Sequence, residues 1–192
     1  MEITTYGDVS REHLSQIGGT GVFVTALRDA LLRGEVDFAV HSLKDLPTAQ
    51  PDDLVIAAMP RREDARDALV ARDGLTFEQL PDGARIGTGS PRRTAQLNHL
   101  ARSLGKRIET VPIRGNVDTR IGFVRDGELD AVVLAAAGLN RIGRGGEATD
   151  LLAVDSVLPA PGQGAWPWSA LRPPRTSSPR SAGSTTRTPG PP

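Results

Sequence analysis

The stretch that decides the fold runs from Ala84 to Leu134, ARIGTGSPRRTAQLNHLARSLGKRIETVPIRGNVDTRIGFVRDGELDAVVL. Short apolar runs alternate in it with longer segments of helical spacing, which predicts strand Ala84 to Gly87, helix Pro91 to Arg102, strand Ile108 to Ile113, helix Val117 to Asp126 and strand Ala131 to Leu134. Such alternation implies a parallel-rich α/β sheet with helices on its faces, and in sheets of that kind ligands sit beyond the carboxyl ends of the strands. Upstream, Phe23, Ala26, Leu27, Ala30 and Leu31 fall at helical spacing within Val22 to Arg33, and Val36 to Val40 follows as a short buried strand. Leu54 to Met59 has strand character, the charged Arg61-Arg62-Glu63-Asp64 suits a domain boundary, and Asp67 to Ala71 restarts a strand.

At 192 residues the chain is long enough for one large or two small domains, at about 150 residues per domain. Lys+Arg and Asp+Glu both number 23, so no whole-protein basic field of the kind that attracts nucleic acid exists, and any anion site is local. No apolar run approaches the ~20 residues of a membrane span, and the N-terminus shows no basic-then-apolar signal segment. No membrane or nucleic-acid partner is therefore expected, and the expected compartment is the cytoplasm. The absence of cysteine removes disulfides, thiol nucleophiles and thiolate metal sites. The composition breaks at residue 166: the last 27 residues hold 7 of the 15 prolines, four arginines and no acid, and are expected to be disordered.

Three loops carry candidate chemistry. In Gly87-Thr88-Gly89-Ser90-Pro91-Arg92-Arg93, Ser90 is placed to cap a helix that begins at Pro91. Two arginines in a first helical turn oppose the helix dipole unless an anion neutralises them, so this loop is read as an anion cradle. Arg114-Gly115-Asn116-Val117-Asp118-Thr119-Arg120 repeats the logic, with Asn116 as cap. Arginine at both sites favours forked recognition of carboxylate or phosphate. His41-Ser42-Leu43-Lys44-Asp45-Leu46-Pro47 lies at the end of the first strand. Its His and Ser are adjacent and point to opposite faces, so a catalytic triad is not expected. From spacing alone Lys44 and Asp45 read as a surface ion pair. His13, His41 and His99 show no ligand spacing, and no metal site is expected.

Taken together, GGTGVF at Gly18 to Phe23, HSLKDLP at His41 to Pro47, GTGSPRR at Gly87 to Arg93, IRGNVDTR at Ile113 to Arg120, AAAGLNR at Ala135 to Arg141 and PAPGQGA at Pro159 to Ala165 resemble the porphobilinogen deaminase (hydroxymethylbilane synthase) family in order and spacing. The resemblance implies a periplasmic-binding-protein-like pair of α/β domains with the site in the cleft between them. The implied activity joins four porphobilinogen units into a linear tetrapyrrole with loss of ammonia, and the implied partners are porphobilinogen and oligopyrrole intermediates, handled by a monomer. The implied catalytic residue is Asp45. Lys44, Asp45, Ser90, Arg92, Arg93, Arg114 and Gly115 are implied to bind the dipyrromethane cofactor, and Phe23, Arg114, Arg120 and Arg141 the substrate.

The resemblance also marks departures. Family members begin with a strand and an Arg-Ser-Pro element, whereas this chain starts inside the following segment at Met1-Glu2-Ile3. The third domain, which supplies the cysteine that anchors dipyrromethane, has no counterpart, so covalent attachment within this chain is not possible. The expected organisation is a partial first domain over residues 1–60, a second over 61–155, a return segment over 156–165 and a disordered tail over 166–192. The chain alone is expected to be inactive. A non-catalytic small-carboxylate-binding module and a nonfunctional gene remnant are the competing readings.

The tail is expected to be an out-of-frame reading. Trp166 and Trp168 are each TGG, so one extra base before them regroups the letters as NTG-GCC-NTG-GAG-TGC, which can encode Leu-Ala-Val-Glu-Cys, similar to the family's segment after GQGA. Resequencing is expected to restore a family sequence by one base; a downstream frame without a cysteine in any register would refute it.

Overall fold

A computed structural model describes residues 24–173. Phe23 and the part of the tail beyond residue 173 lie outside the described residues. The elements run α1 (Thr25–Leu32), β1 (Phe38–Val40), a 3-10 turn (Leu43–Asp45), β2 (Leu54–Ala58), β3 (Asp67–Ala71), β4 (Ala84–Gly87), α2 (Pro91–Ser103), β5 (Ile108–Val111), α3 (Val117–Arg125), β6 (Ala131–Ala135), α4 (Ala136–Arg141), β7 (Asp150–Leu152) and β8 (Trp168–Leu171). They form a three-stranded sheet in the order β1-β8-β2 and a five-stranded sheet in the order β5-β4-β6-β3-β7. Among the described residues no helix is long and apolar enough to cross a membrane.

The expected α/β alternation builds the larger sheet. Strand β4 runs parallel to β5 and to β6, with α2 and α3 as the crossovers. Strand β3 departs from the parallel-rich expectation, because it lies antiparallel to both β6 and β7. No helical crossover separates β3 from β4, and without one a chain does not return to start a parallel neighbour. Successive side chains of β3 enter opposite faces. Leu69 and Ala71 join Val133 and the Leu97 and Ala101 of α2, whereas Ala68 and Val70 join Val132, Leu134 and the Ile121 and Val124 of α3. All five residues of β3 are buried, as a strand covered on both faces requires. Each such Leu or Val contributes about 1.5–3 kcal/mol on burial.

Among the described residues the smaller sheet has one covered face, where Leu31 of α1 packs on Ala39 and Leu54. Its central strand corrects the sequence reading. The chain does not become structureless at residue 166; Trp168–Leu171 pairs antiparallel with β1 on one side and β2 on the other. The hydropathy of WPWSAL carries no strand signal, yet ladder hydrogen bonds come from the backbone and need only small or flat side chains that fit. Ser169 is buried between the flanking strands, and Trp168 stacks on Phe38 with ring centroids 5.0 Å apart.

Two covered faces against one covered face make the larger sheet the sturdier unit. Limited proteolysis is expected to leave a protected fragment that begins near Arg61 and reaches past Val157, whose side chain lies in the larger sheet's core. Equal protection of residues 24–60 would overturn that ranking.

Candidate functional site

The loops after β4 and β5 meet through glycine: a Cβ on Gly89 would stand 2.7 Å from the Ile113 carbonyl oxygen. Ser90 leaves the strand in an extended conformation and its side chain accepts from the Arg93 amide at 3.5 Å, with Pro91 opening α2 as the sequence predicts. Asn116 caps α3 by accepting from the Thr119 amide at 2.9 Å. The two caps aim Arg92, Arg93 and Arg120 from helix starts into one region. Gly115, at φ +107, hands its carbonyl to Arg120 Nε at 2.8 Å and so orients that guanidinium.

The anion that the paired arginines require is already in the protein. Asp67, 0% exposed, takes Arg93 Nη2 on one carboxylate oxygen and Arg92 Nη2 on the other, both at 2.7 Å. Arg93 also donates from Nη1 to the Val133 carbonyl at 3.0 Å, and Arg92 from Nη1 to the Leu158 carbonyl. Gln163 Nε2 adds a third donor to Asp67 at 2.8 Å. Burial pushes the Asp67 carboxyl up, but the bond and charge of Arg93, with Arg92 and Gln163, outweigh it and hold the group below the usual carboxylate range. Sequence reasoning missed both Asp67 and Gln163. Asp67 begins a strand, so a search at carboxyl ends passes over it; antiparallel pairing puts it in register with Ala135, the carboxyl end of β6. The available signal was an acid opening the apolar run Asp67-Ala68-Leu69-Val70, since a charge in a fully buried strand needs a partner.

Lys44 and Asp45 sit on the 3-10 turn after β1 and line both cavities of the site. The larger, of about 860 Å³, brings them together with Ser90, Arg92, Arg93, Arg114 and Arg120. Arg141 is not part of that cluster. It lines the second cavity, of about 400 Å³, with His41, Ser42 and Trp166, and its guanidinium carbon lies 4.8 Å from the Trp166 ring centre. Both cavity walls withdraw bulk water, so burial lowers the Lys44 ammonium, with Arg93 adding to the effect, and raises the Asp45 carboxyl against the opposing charge of Lys44. Burial, Arg93 and Arg114 also lower Arg120. Two guanidinium groups keep a buried nitrogen without a partner, Arg93 Nε and Arg114 Nη1, as does the His41 imidazole at Nε2. Buried donors of this kind call for an acceptor.

The larger cavity is thus lined by five cationic side chains and one carboxylate, an excess of positive charge between the two sheets. The sequence model of "Porphobilinogen deaminase, dipyromethane cofactor binding domain" matches residues 1–169, and the chain belongs to the porphobilinogen deaminase family. It is 78% identical to porphobilinogen deaminase 1 of Streptomyces avermitilis, covering 86% of this chain and 52% of that protein. It is 65% identical to the porphobilinogen deaminase of Thermobifida fusca, covering 85% and 50%. The chain thus spans about half the length of the curated relatives it matches. Among solved structures, a putative methionine-binding lipoprotein of Bacillus subtilis overlays with a TM-score of 0.45 at 14% identity, covering 76% of this chain and 67% of the other.

Replacing Asp67 with Asn leaves the buried Arg93 guanidinium and the part-buried one of Arg92 without their carboxylate, and a loss of about 3 kcal/mol is expected in denaturant unfolding at pH 7. Because the folded carboxyl titrates below its unfolded value, its contribution is present above the unfolded pKa of about 3.9 and is lost as pH falls through the lower folded value. The parent and the variant are therefore expected to converge in stability in strong acid; a constant gap down to that limit would remove Asp67 from this role.

Proposed function

We propose that the cleft binds porphobilinogen and the oligopyrroles grown from it, and that the chain carries the catalytic residues of hydroxymethylbilane synthase. That enzyme condenses four porphobilinogen molecules stepwise with release of ammonia in tetrapyrrole and haem biosynthesis. The observation that carries the reading is the charge imbalance of the larger cavity: after Asp67 has taken its share of Arg92 and Arg93, Arg114 and Arg120 have no side-chain acid partner among the described residues. Each pyrrole unit brings an acetate and a propionate, which are planar acceptors suited to guanidinium forks.

Dipyrromethane fits the same residues, because the free buried nitrogens of Arg93 and Arg114 need carboxylate acceptors. Lys44, Asp45, Ser90, Arg92, Arg93, Arg114 and Gly115 would hold it, and when bound it supplies the pyrrole end that the chain extends. Arg114 and Arg120 from the larger cavity and Arg141 from the smaller one take the incoming porphobilinogen. Release of ammonia from the porphobilinogen aminomethyl group leaves a cationic azafulvene. Asp45 stabilises that charge, and its raised proton affinity suits a carboxylate that sits against a pyrrole N–H through the reaction. None of the 192 residues is a cysteine, so a thioether anchor needs a thiol from outside this sequence, and we read the chain by itself as a binder without turnover. We read the chain as a cytoplasmic monomer without a membrane partner, and the balance of 23 basic against 23 acidic residues leaves no net basic field to draw in nucleic acid.

Calorimetric titration tests the reading. Porphobilinogen is expected to bind more tightly than succinate, and Arg114→Ala or Arg120→Ala to weaken it roughly tenfold, the worth of one charge-assisted hydrogen bond. Asp45→Asn is expected to leave binding within about threefold, since its charge meets one that develops only during reaction. Equal affinity for succinate would make the chain a general carboxylate binder instead.

A further inference from the structure

We propose that Gln163 is a positioning residue: its side-chain amide ties Lys44, on the loop of the smaller sheet, to the Asp67–arginine clamp of the larger one, and so fixes the spacing between the lysine–aspartate pair and the anion cradle. This deepens the cleft reading above and rests on it for its functional meaning.

The geometry is specific to an amide. Gln163 is 1% exposed, and its Nε2 donates to Asp67 at 2.8 Å and to the Ala65 carbonyl at 2.7 Å, while its Oε1 accepts from Lys44 Nζ at 3.4 Å. Lys44 and Arg93 are like charges facing one cavity, and the Gln163 amide and the Asp67 carboxylate are acceptors set between them. A carboxylate at 163 would face Asp67 and lose both donor bonds; an apolar side chain would leave Asp67 and Lys44 each short of a partner. Glutamine alone among neutral side chains of this length donates at one end and accepts at the other.

The backbone is held as tightly as the side chain. The Gln163 carbonyl accepts from Arg62 Nε at 2.9 Å, the Leu43 amide donates to the Ala165 carbonyl at 3.0 Å, and the Glu63 amide to the Gly164 carbonyl at 2.9 Å. Gly162 and Gly164 have φ of +75 and +82, and a Cβ on them would stand 2.8 Å from the Leu43 side chain and 2.6 Å from the Glu63 carbonyl oxygen. The return segment is thus threaded between the loop that bears Lys44 and the linker that leads to Asp67, with Gln163 at the crossing.

Lysine acetylation by an N-hydroxysuccinimide ester, read residue by residue by mass spectrometry, tests this directly. The chain has two lysines, so Lys106, tied to the Leu80 carbonyl at 2.9 Å, is an internal reference. In Gln163→Met, Lys44 loses an acceptor for its charged form, and its labelling relative to Lys106 at pH 8 is expected to rise roughly threefold, the size of one net hydrogen bond. A purely structural role would lower the melting temperature and leave that ratio unchanged in the folded protein. Gln163→Asn keeps the amide but shortens the arm by one methylene; it is expected to shift the ratio the same way and serves where the methionine variant does not fold. An unchanged ratio in either folded variant overturns the proposal. Protection of Lys44 by saturating porphobilinogen in the parent is the separate arm: its absence would remove the cleft reading and leave the tie itself to be judged by the variants.

Discussion

A carboxylate with no exposure to water, held between two guanidinium groups, is the constraint on which the rest of the site depends. Asp67 cannot stay ionised in the interior unless Arg92 and Arg93 reach it, and those arginines cannot sit in the first turn of a helix unless a negative charge meets them. Each side thus removes the other's penalty. The consequence for binding is that Arg93 is committed inward through both terminal nitrogens, leaving Nε as its one nitrogen with no bond among the described residues. The arginines of the cavity that have no carboxylate partner among the described residues are Arg114 and Arg120, one strand and one helix further along.

The division into two cavities stems from where the short turn after β1 places its two charged residues. Lys44 and Asp45 form a shared wall, so a ligand in either space meets the same carboxylate. On one side the wall faces arginines; on the other it faces an arginine stacked on an indole and an imidazole nitrogen with no partner.

Much of this was legible in the sequence because local signals set it. The caps at Ser90 and Asn116, the proline at the start of α2 and the alternation from Ala84 to Leu134 depend on neighbours within a few residues, and the structure places them as read. What was not legible is non-local. Asp67 meets Arg93 only because β3 runs antiparallel, Gln163 reaches Asp67 across 96 positions of sequence, and Arg141 parts from the other arginines because it lines the cavity of His41, Ser42 and Trp166. The strand at Trp168–Leu171 escaped for a different reason: its place is decided by open backbone groups on β1 and β2, which leave no trace in its own hydropathy.

That strand also sets an order of events during synthesis. Among the described strands β1 and β2 are joined to each other only through β8, and Val40 has its register partner at Trp168. The whole larger sheet, from β3 to β7, is made in the interval and closes through shorter connections, which form faster than distant ones. On the ribosome β1 and β2 therefore emerge before the larger sheet but pair with β8 after it is made. Until residue 171 leaves the exit tunnel they present two unpaired edges, and the nascent chain relies on the later-made sheet as the solid body against which its beginning is finally assembled.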